Sequence, residues 1–129
     1  MKAISTYEMV RADIFEMKGQ TLEEISMNPE KDRIDFCTKD LTFRMEHKRV
    51  CCEICSVEDI TGDLTDLIGS PIIMAEYVEY VPPIKDQSSD DSQTWTMVKL
   101  ATVKGYVTIR WYGASNGYYS ETPNFFKSI

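Results

Sequence analysis

The sequence predicts an α+β domain: a mostly antiparallel β-sheet of about six or seven strands with one or two short helices, held by a structural zinc site. Three observations lead there. Short runs with apolar residues at every second position recur along the chain, most cleanly over 41–47 and 106–112. Turn signals separate them, at Asn28-Pro29, Lys104-Gly105 and Asn116-Gly117. His47, the only histidine, is followed within eight residues by Cys51, Cys52 and Cys55.

In chain order, 6–18 reads as a helix, with Thr6 as N-cap, Val10, Ile14 and Met17 at helical spacing, and Gly19 as the stop. A three-strand meander follows over 21–27, 33–38 and 41–47. In the third strand Leu41, Phe43, Met45 and His47 share one face. A short helix is expected over 63–69, with Gly69 as its C-cap, and then a strand over 72–81 ended by Pro82-Pro83. Residues 82–94 are polar and read as a long loop. A tight hairpin joins strands 95–103 and 106–112, Asn116-Gly117 turns the chain into a further strand, and 124–129 reads as a frayed tail or small cap.

At 129 residues the chain is expected to form one domain, 1–129. No apolar run reaches the roughly 20 residues that cross a bilayer, and the first residues lack the apolar centre of a signal peptide. Both point to a cytoplasmic protein with reduced thiols and no membrane partner. Fourteen basic against 21 acidic residues give a net charge of −7. That sign argues against direct binding to nucleic-acid phosphates; it reads foremost as solubility and permits a basic surface on another protein as the target.

Thiolates and an imidazole so close in sequence suit a tetrahedral Zn²⁺, so His47, Cys51, Cys52 and Cys55 are the expected ligands. Adjacent cysteines point different ways in an extended chain, so Glu58 or Asp59 is an alternative fourth donor. Cys37 lies on the strand face opposite Ile34 and Phe36 and reads as a spectator. A zinc with four protein ligands has no open position, no phosphate loop or nucleophile–base pair is present, and no catalytic residue is expected. Gly113-Ala114-Ser115-Asn116-Gly117 matches a hydrolase elbow in spelling only, since it sits in a hairpin. Trp95, Tyr106, Tyr112, Tyr118 and Tyr119 form an aromatic stripe with Arg110 among them, read either as cross-strand packing or as a partner face.

Cys51-Cys52-Glu53, then Glu58-Asp59-Ile60-x-Gly62-Asp63-Leu64-x-Asp66-Leu67-Ile68-Gly69-Ser70-Pro71-Ile72, then the run from Lys99 through Lys104-Gly105-Tyr106-Val107-Thr108-Ile109-Arg110-Trp111-Tyr112-Gly113 to Ser120-Glu121 resemble a family of small phage and prophage proteins. The chain is also similar in type and size to type II-A anti-CRISPR proteins, among them a zinc-containing one. The resemblance implies an inhibitor that binds a type II CRISPR effector nuclease, at its recognition lobe or DNA channel, and blocks target-DNA loading in the bacterial host cytoplasm. The expected contact surface is acidic and aromatic: Glu58, Asp59, Asp63, Asp66, Asp90, Asp91, Arg110, Tyr112 and Tyr118. The alternatives are a protein that sequesters a small nucleotide signal and a metal-dependent hydrolase. The oligomeric state is left open.

Overall fold

The structure, a computed structural model, describes residues 5–81, 92–115 and 120–129. All nine strands among them pair antiparallel, in two sheets. The first holds β1 (Met9–Arg11), β2 (Glu24–Met27), β3 (Arg33–Cys37), β4 (Thr42–Glu46) and β9 (Asn124–Ser128), in the spatial order β1-β9-β4-β3-β2. The second holds β5 (Ile54–Thr61), β6 (Met74–Tyr80), β7 (Ser92–Thr102) and β8 (Gly105–Ser115), in the order β5-β8-β7-β6.

This corrects the α+β expectation: among the described residues there is no α-helix, only three turns of 3-10 helix. The proposed helix over 6–18 divides into a 3-10 turn at Thr6–Glu8, β1, and a second turn at Ile14–Met17. The reason is local. Asp13 accepts from the Phe15 N–H at 3.0 Å, Glu16 reaches back to the Asp13 N–H at 2.8 Å, and this capping box starts a new element where a continuous helix would need its middle. Val10, assigned to the buried face of that helix, is 41% exposed. The second expected helix has the right place and the tighter geometry: Leu64–Leu67 is one 3-10 turn, capped by Asp63. Gly69, two residues past it, adopts φ +87°, the left-handed conformation its role as a stop requires.

The core lies between the sheets. Ile34, Phe36, Phe43, Met45 and Phe125 come from the first, and Val57, Val98, Leu100, Val107, Ile109 and Trp111 from the second. Phe43 stacks on Phe125 with ring centroids 5.7 Å apart. Leu22, Leu67 and Ile72 seal the connection, where bridges Thr21–Pro71 and Leu22–Ile68 link the two halves of the chain. The segment read as a frayed tail is instead β9, hydrogen-bonded to β1 on one side and to β4 on the other. Of the expected loop over 82–94, only residues 92–94 are described, and they open β7. The turn at Asn116-Gly117 lies outside the described residues.

The back of the first sheet carries charge. Every residue of β4 is buried, including Arg44 at 1% exposure. Its guanidinium donates to both oxygens of Asp35, at 2.7 and 3.0 Å, and to Thr6 Oγ1 at 2.9 Å. Glu46 accepts from Thr6 Oγ1 at 2.6 Å and pairs with Arg33 at 2.6 Å. Charge is tolerated at this depth because each group has a partner of opposite sign and hydrogen bonds to match.

Candidate functional site

His47 follows β4 on the face that Phe43 and Met45 point to, as the alternation of that strand predicts, and it is buried. Its N–H donates to the Asp32 carbonyl at 3.0 Å. Its ring is already engaged on both sides, with Nδ1 3.3 Å from the Thr122 carbonyl oxygen and Nε2 3.2 Å from Glu53 Oε2. Glu53 is buried too and does three jobs with one carboxylate. It faces His47, accepts from the Val50 N–H at 2.9 Å and accepts from the Cys51 N–H at 2.8 Å. Those donated hydrogen bonds, the Cys51 and Val50 amides first, hold its pKa down at about 2. The loop from 48 to 53 is thus folded around a single carboxylate.

The zinc expectation is corrected here. Cys51 and Cys52 lie on the exposed loop, side by side with Sγ atoms 2.8 Å apart. Cys55 is on β5, opposite Gly113, and belongs to the hydrophobic core with Val57. Burial, followed by the nearby charges of Glu121, Asp32 and Glu53, pushes its thiol up to about 12. Both His47 nitrogens point at protein oxygens. The four donors therefore do not converge, and among the described residues no group of three or more His, Cys, Asp or Glu side chains is placed to hold a metal ion. Nor do Glu58 and Asp59 join them. They sit where β5 bulges against β8, with Glu58 as the extra residue.

A cleft of about 240 Å³ opens beside the loop, lined among others by Glu30, Asp32, His47, Arg49, Glu53 and Cys55. Three carboxylates against one guanidinium give it the wrong sign for a phosphate. Residues 120–122 pass so close over β8 that a Cβ on Gly113 would lie 1.7 Å from the Glu121 carbonyl oxygen. That approach lets Glu121 accept from Thr94 Oγ1 at 2.7 Å and Ser115 Oγ at 2.9 Å, and it delivers the Thr122 carbonyl to His47.

The outer face of the second sheet gathers a different set of side chains. Tyr80, Trp95, Tyr112 and Ser56 are successive cross-strand neighbours on β6, β7, β8 and β5. Ring centroids are 6.3 Å apart for Tyr80–Trp95 and 5.1 Å for Trp95–Tyr112, tilted at about 50°. In the next row come Val78, Met97, Arg110 and Asp59, then Glu76 and Lys99. Trp95 Nε1 donates to Glu58 Oε2 at 2.8 Å, which ties the aromatic row to the bulge. Arg110 lies 3.5 Å from the same carboxylate, long for a hydrogen bond.

Of the expected partner-binding residues, Glu58, Asp59, Arg110 and Tyr112 are therefore brought together. Asp63 and Asp66 are not. Asp63 caps the 3-10 turn through the Thr65 N–H and hydroxyl, and Asp66 packs on Gly105, the far end of β8. Seven residues of strand separate Gly105 from Tyr112, about 23 Å at about 3.3 Å per residue. Tyr106 is at that far end as well. Asp90, Asp91, Tyr118 and Tyr119 lie outside the described residues. Two participants were missed in the sequence. Tyr80 was readable from alternation in β6, which places 76, 78 and 80 on one face. Glu53 was not, because its role depends on the loop's backbone amides.

Fold and surface together define an antiparallel two-sheet β protein with a histidine–glutamate lock on one loop and an aromatic, acid-fringed outer face. Residues 9–125 match the Domain of unknown function (DUF7448), and the chain belongs to that family. No curated protein and no solved structure matches it. Among the described residues no helix is long and apolar enough to cross a membrane.

Proposed function

We propose that this protein works by binding rather than by catalysis, as a phage-encoded inhibitor acting in the bacterial cytoplasm. Its partner is a basic surface of a type II-A RNA-guided CRISPR nuclease, and occupying that surface blocks target-DNA loading. The observation that carries the binding reading is the outer face of the second sheet. Tyr80, Trp95 and Tyr112 make a row of ring contacts across three strands, and Glu58, Asp59 and Glu76 lie beside it. Rigid aromatics are the usual energetic anchors of protein interfaces. The flanking carboxylates, with a net charge of −7, complement a channel built to hold nucleic-acid backbones. The choice of nuclease rests on the resemblance to small phage and prophage proteins, and on likeness in type and size to anti-CRISPR proteins.

The test is capture of the protein on immobilised guide-loaded nuclease, with target-DNA binding measured in parallel. Trp95→Ala is expected to weaken capture by about 30-fold, the loss of a typical hot spot of about 2 kcal/mol. Glu58→Lys with Asp59→Lys is expected to slow association and reduce its salt dependence, while Asp63→Lys, at the far end of the sheet, changes little. No capture by the wild-type protein, or equal capture of Trp95→Ala, rejects the reading.

A further inference from the structure

The loop between β4 and β5 presents two adjacent thiols that the outer face does not use. Cys51 and Cys52 are exposed, and their sulfur atoms are 2.8 Å apart. Cys37 and Cys55 are buried. We propose that Cys51 and Cys52 form a reversible modification site for low-molecular-weight disulfides, closing to a vicinal disulfide that resets the loop.

The chemistry needs one oxidant, a disulfide RS–SR of the glutathione type. One cysteine thiolate attacks a sulfur of RS–SR, forms a mixed disulfide and expels RS⁻. The second thiolate attacks the protein sulfur of that mixed disulfide and expels the second RS⁻. Two protein S–H groups are oxidised to one S–S, RS–SR is reduced to two RSH, and the two thiol protons end on the leaving groups. The two sulfurs already touch, so whichever thiolate attacks first has its resolving partner beside it. With its partner already in contact, the second step is intramolecular and the mixed disulfide does not accumulate.

Closure has a structural consequence. Consecutive Cα atoms across a trans peptide are about 3.8 Å apart, short of the roughly 4.4 Å at which ordinary disulfides begin. The Cys51–Cys52 peptide unit must therefore twist, and the Cys51 carbonyl turns with it. That carbonyl accepts from Arg49 Nε at 2.8 Å. Closure thus releases a guanidinium at the edge of the cleft that holds Glu30, Asp32 and Glu53. Strain makes such a bridge easy to reduce, which is what reversibility requires.

The experiment equilibrates the full chain in buffers of graded reduced and oxidised glutathione and reads intact mass, mapped fragments and the Arg49 Nε–H resonance. The expected result is loss of two hydrogens with no retained glutathione, a bridge mapped to Cys51–Cys52, a moved Arg49 signal and full reversal by excess thiol. Cys51→Ser and Cys52→Ser are each expected to stop at a single glutathione adduct, and Cys55→Val to close normally. Retained glutathione on the wild-type protein, a bridge through Cys55 or Cys37, or closure with an unmoved Arg49 signal overturns the proposal.

Discussion

Replacing Gly113 by alanine tests how the His47 site is assembled. The added methyl would sit 1.7 Å from the Glu121 carbonyl oxygen and 2.7 Å from its carbon. Real Cβ contacts do not fall below 3.0 Å, so that carbonyl must retreat by 1.3 Å, from 1.7 to 3.0 Å. The obstacle is backbone, which cannot swing aside as a long side chain would. Thr122 moves with it, and its oxygen, now 3.3 Å from His47 Nδ1, passes beyond hydrogen-bond reach. The Glu121 carboxylate is drawn from Thr94 and Ser115 at the same time. Overpacking of this kind costs about 1–3 kcal/mol, and each lost hydrogen bond adds about 1 kcal/mol. With three hydrogen bonds disturbed, a total of about 5 kcal/mol, set against an unfolding entropy of about 2.1 cal/mol/K per residue, lowers Tm by about 18 °C. Thermal unfolding followed by circular dichroism measures the shift, and nitrogen spectra of the imidazole report whether His47 has lost its carbonyl. A variant melting within about 2 °C of wild type, with unchanged imidazole signals, refutes the reasoning.

Three other outcomes are expected. Glu53 has its folded pKa lowered to about 2 from an ordinary 4.5, so its stabilisation is complete above 4.5 and disappears as pH falls towards 2. The stability gap between wild type and Glu53→Gln should close over that window, and parallel pH curves would show that the carboxylate is not held as described. Cys55→Val conserves volume at a core position and should change stability by less than about 1.5 kcal/mol, with the same melting curve in chelator. A loss of several kcal/mol in urea denaturation would restore the thiol as a ligand. Arg44→Met strands the largely buried Asp35 carboxylate and should cost about 3 kcal/mol, most of it recovered in Arg44→Met with Asp35→Leu. Should the double variant be no more stable than the single one, the pairing account of β4 fails.

Alternation made some elements readable and not others. β3, β4 and the β7–β8 hairpin each bury every second side chain against one partner sheet, so Ile34 and Phe36, or Val107, Ile109 and Trp111, announce both strand and face. His47 was placed correctly because it continues that pattern by one step. β5 has the same period in Cys55 and Val57, but the bulge at Glu58 breaks its phase, and the thiols drew the reading towards metal. The helix over 6–18 rested on three apolar residues whose spacing fits a helix by coincidence. β9 has only five residues, and its adjacent phenylalanines show no period until Met45 is found opposite Phe125. At the site, the position of the histidine was legible and its partners were not. Thr122 and Glu53 reach it through a close backbone crossing and a folded loop, neither of which leaves a periodic trace.

The place of β9 has a kinetic side. Among the described residues β1 has no strand partner other than β9, and β4 has β9 along one whole edge. While the ribosome is still adding the stretch before residue 124, β2, β3 and β4 can zip together locally, but the strand made first has nothing to dock on. Closure of that sheet must wait for β9, which lies more than a hundred positions of sequence beyond β1. A nascent chain paused short of that point should hold an open edge on β4, the segment where a chaperone would be most useful.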